Sequence, residues 1–147
     1  MQIVPWLLGL GFIFQSYSDP FTDAETHIAQ VGSDRGPALA IECGDETGGE
    51  LRVRVTPGFQ LYNSGVPGRY SDRYRFDDDQ PVTYRVYYRG ENAYLAGKEA
   101  HDFVRRLSNA ETLNFEVTDW ESAARMNTVR VNAPNGAIDR DMEKCAR

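Results

Sequence analysis

The sequence predicts a β-rich α+β domain built on an antiparallel sheet. Short runs of alternating apolar and polar residues are separated by Gly, Pro, Asn and Asp clusters, the rhythm of successive β-strands. One stretch breaks that rhythm with helical spacing. At 147 residues, 41% hydrophobic and 26% charged, the chain has the size and composition of a single globular domain.

The elements follow in order. After the turn-forming "SDPFTDAE", strand-like runs occupy 26–31 (THIAQV), 38–43 (ALAIEC), 50–56 (ELRVRVT), 69–76 (RYSDRYRF) and 82–88 (VTYRVYY). In "GKEAHDFVRRLSNA", Ala100, Phe103, Val104 and Leu107 fall at i, i+3, i+4 and i+7, one face of an amphipathic helix. Two further strands are expected at 112–118 and 124–131. In the last stretch, Ile138, Met142 and Cys145 share a stripe on a short C-terminal helix.

Residues 1–18 read as a separate segment, leaving 19–147 as the domain. Ile3 to Phe14 is an uncharged apolar run of twelve, shorter than the roughly 20 residues of a membrane-spanning helix. It fits the apolar region of a signal peptide, with Ser16 and Ser18 as small residues at a cleavage site. No Lys or Arg precedes it. An uncleaved anchor is the variant of this reading; the competing one is a buried N-terminal strand with Phe12 and Phe14 in the core. Export predicts a periplasmic or other extracytoplasmic location, with membrane contact only through this segment.

Cys43 and Cys145 belong to no CxxC and no Cys/His cluster, so no metal site is expected. They are either two buried thiols or one disulfide, and an exported chain oxidises such a pair.

The net charge of −6 hides an asymmetry. Residues 50–89 hold seven Arg against five acids, a local balance of +2, leaving −8 elsewhere. The average repels duplex phosphates, so no nucleic-acid partner is expected.

"YRFDDDQPVTYR" (74–85) reads as a hairpin with a loop from Asp77 to Pro81 and Phe76 opposite Val82. That register puts Tyr74, Phe76, Val82, Tyr84, Val86 and Tyr88 on one face and Arg73, Arg75, Arg85, Tyr87 and Arg89 on the other. "LRVRV" adds Arg52 and Arg54 opposite Leu51, Val53 and Val55. Guanidinium forks suit carboxylates, phosphates and acidic partners. Arg52, Arg54, Arg73, Arg75, Arg85, Arg89 and Tyr87 are therefore the expected contact face, for a protein partner or acidic ligand. The competing reading is a solvated face whose arginines pair with Asp72, Glu50 and other acids or stack on tyrosines.

Asp77, Asp78 and Asp79 lack the spacing and turn glycine of a calcium loop and read as a solvated turn. No serine elbow accompanies His27 or His101, and "GDETGG" lacks the Lys and helix of a phosphate loop. No catalytic residue and no cofactor is assigned. Trp120 reads as capping the core or marking a turn.

The order "SDPFTD", "IEC" before "LRVRV", "YRFD", "EAHDFVRRL" and a final helix ending in Cys resembles the VasI-like family of exported bacterial proteins, associated with type VI secretion. The resemblance spans about Asp19 to Cys145. It implies a small sandwich-like domain outside the cytoplasm, with cysteines placed as Cys43 and Cys145 are, hence one disulfide. The resulting expectation is a non-enzymatic exported binding or accessory protein. The alternatives are a carboxylate-based hydrolase acting near Asp77–Asp79, or a cytoplasmic interaction protein with reduced cysteines.

Overall fold

The structure, a computed structural model, describes residues 11–33, 35–44, 47–62, 68–133 and Ile138. Nine strands and one helix follow in order: β1 (Ile13–Ser18), β2 (Glu25–Gly32), β3 (Ala38–Gly44), β4 (Arg52–Thr56), β5 (Gly68–Phe76), β6 (Val82–Arg89), β7 (Asn92–Ala96), α1 (Gly97–Leu107), β8 (Thr112–Thr118) and β9 (Ala124–Arg130). All strand pairs are antiparallel, in the order β1-β2-β3-β4-β7-β6-β5-β8-β9. Where a sandwich-like arrangement was expected, the hydrogen-bonded ladder runs unbroken through one sheet. That sheet curls until its ends approach: a Cβ placed on Gly11 would lie 3.6 Å from the carbonyl oxygen of Asn132.

Period-two alternation decides what is buried. Tyr74 and Phe76 of β5, Tyr84, Val86 and Tyr88 of β6, and Leu113, Phe115 and Val117 of β8 all face the core. The helix α1 connects β7 to β8, which lie on opposite sides of the β5–β6 pair, so it crosses the core face. It buries Ala100, Phe103, Val104 and Leu107, the stripe its spacing predicts. The Phe103 ring lies 5.1, 5.7 and 6.0 Å from those of Phe76, Tyr74 and Tyr84. Tyr84 donates a 2.7 Å hydrogen bond to Asp102, which also accepts from Arg105 and Arg106. Apolar packing and one shared carboxylate together seat the helix on the sheet.

The strand β7 was missed because five residues carry little pattern. Its signal is the two-residue Gly90–Glu91 link between paired Arg89 and Asn92, with Gly90 at φ +63°. Glycine at the first central position marks a tight hairpin.

The 74–85 hairpin keeps its expected faces but not its register. Tyr74 pairs with Val82 and Asp72 with Tyr84, while Phe76 pairs with Leu113 of β8. Asp77 supplies the reason. Its carboxylate accepts the backbone N–H groups of Glu111 and Thr112, and its own N–H donates to the Thr112 carbonyl. The end of β5 is thus held to β8 and drawn away from β6. A slip of two residues preserves every side chain's face.

Of the expected N-terminal segment, residues 1–10 lie outside the described residues. Ile13–Ser18 pair with β2 as an edge strand, and Phe12 and Phe14 pack against the core. Ile138 is buried; Met142, Cys145 and the rest of the expected C-terminal helix lie outside the described residues. Cys43 is buried on β3 opposite His27. Trp120 does not cap the core. It is 63% exposed and marks the turn between β8 and β9, the other expected role, where its backbone N–H donates to the Gln60 carbonyl.

Candidate binding face

The sheet brings the predicted arginines to its outer face, opposite the core. Arg52 and Arg54 alternate with buried Val53 and Val55, and Arg73, Arg75, Arg85 and Arg89 alternate with the buried aromatics of β5 and β6. Because β7 stands between β4 and β6, two tyrosines join them. One cross-strand row reads Arg54, Tyr94, Tyr87, Arg69 across four adjacent strands. Tyr94 and Arg69 were not predicted members. Finding Tyr94 required seeing β7; finding Arg69 required carrying the outward alternation to the start of β5.

The six predicted arginines do not form one class. Arg52 is bound to Glu42, its cross-strand neighbour, through Nη2 at 2.6 Å and Nε at 2.8 Å, and its guanidinium stacks 4.9 Å above the Tyr94 ring. Arg73 donates through Nη2 to both carboxylate oxygens of Glu116 of β8, at 3.0 and 3.2 Å. Arg75 turns back onto its own loop, donating to the carbonyls of Asp78 and Asp79. Those three are engaged. Arg54, Arg85 and Arg89, with Arg69, make no hydrogen bond or ion pair to another described residue. Their cross-strand neighbours explain this: Tyr94, Ser71, Asn92 and Tyr87 carry no charge to pair with.

A groove of about 460 Å³ opens beside Arg54. Its floor is Ala38 and Ala40, small residues between longer neighbours, and Thr56, Asn92 and Glu91 line its side. The Thr56 hydroxyl donates to Asn92 Oδ1 at 2.6 Å, which fixes that amide with its N–H groups left to turn elsewhere. The result is a half-buried arginine beside a groove of mixed polar and apolar lining, and its planar fork matches the geometry of a carboxylate.

The carboxylates are placed differently from expectation. Asp77 is not a solvated tip residue but a structural ligand of the β5–β8 junction. The Thr112 backbone N–H, ahead of that of Glu111, lowers its pKa. Asp78 and Asp79 are exposed. Asp72 does not pair with the outer arginines: it falls on the inward phase with Tyr74 and Phe76 and is buried. The Tyr88 hydroxyl donates to it at 2.6–2.7 Å and accepts the Thr118 N–H at 3.1 Å. Beyond Arg73, β5 departs from β8, and Leu61 and Tyr62 bond to Asp119 and Thr118 instead. Asp72, Tyr88 and the stacked ring of Tyr70, 4.5 Å from Tyr88, fill that fork. An acid at an inward position of an alternating strand was the available signal.

Among the described residues, no group of three or more His, Cys, Asp and Glu could hold a metal ion. His27 is buried with Nε2 3.4 Å from Glu25, and His101 is exposed on α1. No helix among the described residues is long and apolar enough to cross a membrane. Comparison with protein-family models, with curated proteins and with solved structures returns no match.

Burial pushes the Asp72 pKa up to about 6, against the lowering effect of the Tyr88 hydrogen bond and with a further rise from the Glu116 charge. Between the ordinary carboxylate range and about 6, native Asp72 holds a proton that the unfolded chain has released, so its contribution to stability falls as pH rises through that window. Urea unfolding of wild type and Asp72→Asn, measured from pH 4 to 7.5, is expected to show the wild type losing stability relative to the variant across that window. A pH-independent difference between the two would contradict this account.

Proposed function

We propose that this chain is a non-enzymatic binding or accessory protein that works outside the cytoplasm and engages an acidic partner protein through its arginine–tyrosine face. The observation that carries the reading is the group of four arginines without partners among the described residues, Arg54, Arg69, Arg85 and Arg89, set around Tyr87. Tyr87 is 40% exposed, in a position to stack with an incoming group, and Tyr and Arg are the residues that most often anchor interfaces. The chain's negative balance elsewhere favours an acidic protein segment, which can place a few carboxylates on this face, over a nucleic acid, which cannot keep its remaining phosphates away.

Export is supported by the apolar run at 3–14 and by two cysteines without a metal-site spacing. Within this reading Cys43 and Cys145 form one disulfide, tying β3 to the C-terminal segment. In the chain-entropy model, closing a loop of about 100 residues stabilises by roughly 4–5 kcal/mol. The order of motifs shared with the VasI-like family supports a role in the bacterial envelope or in secretion.

A fluorescent poly-glutamate probe is expected to bind in 50 mM salt, to weaken at 500 mM, and to weaken further with Arg85→Gln/Arg89→Gln. Equal binding of a single-stranded oligonucleotide, or poly-glutamate binding unaffected by the double substitution, would overturn the acidic-partner reading. For the staple, alkylation of the unfolded protein without reductant, followed by mass measurement, is expected to leave both thiols unmodified. Two alkylated thiols in protein from its native compartment would refute the disulfide.

A further inference from the structure

We infer that the partner presents an extended acidic segment in which two carboxylate side chains stand four positions apart with an apolar residue midway. This rests on the acidic-partner reading and specifies what that face recognises. The geometry of the row sets that spacing. Arg54 and Arg69 are its two ends, on β4 and β5, with β7 and β6 between them. Three inter-strand steps of about 4.8 Å separate their backbone positions by roughly 14 Å. An extended chain advances about 3.3 Å per residue, so four residues cover roughly 13 Å, and residues i, i+2 and i+4 face the same way.

Such a segment, lying across the strands, sets its first acid against Arg54 and its second against Arg69. The middle side chain rests over Tyr87 and Tyr94. Tyr94 is already covered on one side by the Arg52 guanidinium, which leaves Tyr87 as the exposed ring. The two ends differ. Arg54 is half-buried at the groove floored by Ala38 and Ala40, with Glu91 on its side, so that end accepts a single carboxylate and disfavours additional negative charge. Arg69 is exposed and tolerates variation around its acid.

The test uses two labelled nonapeptides of identical composition, each with two aspartates and one leucine among Gly and Ser. In one the aspartates are four positions apart with leucine midway; in the other they are three apart. Fluorescence anisotropy at 50 mM salt is expected to give about fivefold tighter binding of the four-apart peptide, in keeping with one additional exposed ion pair. Arg54→Gln and Arg69→Gln, made separately, are each expected to abolish that preference. Equal binding of both peptides, still weakened by Arg85→Gln/Arg89→Gln, would overturn the spacing while leaving the acidic-partner reading in place. Failure of both peptides and of poly-glutamate to bind would overturn the two together.

Discussion

The packing of Tyr74, Phe76 and Tyr84 around Phe103 of α1 fixes the phase of β5 and β6, and the remaining arrangement depends on that phase. In a pleated strand each residue's side is set by its neighbour's. With the aromatic rings committed to the core, Arg73, Arg75, Arg85 and Arg89 have only the outer face available. A one-residue slip would place guanidinium groups under the helix, at a desolvation penalty of several kcal/mol for each ion. The arginine face is therefore a consequence of the core rather than a feature added to a finished sheet.

The outer face acquires its character from cross-strand neighbours. Arg52 lies beside Glu42 and Arg73 beside Glu116, so both are neutralised within the protein. Arg54, Arg69, Arg85 and Arg89 lie beside tyrosine, serine and asparagine. Two populations of one residue type thus arise from register, with Arg75 bonded instead to its own loop. The paired ones bridge adjacent strands, and the others have no ion-pair partner among the described residues. The groove at Arg54 follows from the same register, since Ala40 in the neighbouring strand leaves the space that a larger side chain would fill.

Faces were legible in the sequence, while register and connectivity were not. Alternation in "RYSDRYRF" and "VTYRVYY" sorts aromatic from basic residues without any knowledge of pairing partners. The helix was equally readable, because four apolar residues at helical spacing have few other uses. The two-residue slip at the 74–85 hairpin was hidden, since it arises from Asp77 binding the backbone of Glu111 and Thr112 at the start of β8, thirty-four and thirty-five residues away. β7 was too short to show a period, and with it Tyr94 was lost from the candidate face. Asp72 stands two residues before Tyr74, on the inward phase, yet in the sequence it reads only as one of the acids that the outer arginines could pair with. Its role became clear only where β5 parts from β8 and the Tyr88 hydroxyl takes over the Thr118 N–H.

The core holds the sheet's phase, while the arginines without partners among the described residues carry no structural duty. The most direct measurement is urea unfolding of two sets of single variants at neutral pH. Phe103→Ala is expected to lose about 3–5 kcal/mol, as large aromatic truncations in a buried site do. Arg69→Ala, Arg85→Ala and Arg89→Ala are each expected to stay within about 0.5 kcal/mol of the wild type, as exposed positions without structural partners do. Losses above about 2 kcal/mol at those arginines would show that they hold the sheet together, and would contradict a face kept free for binding.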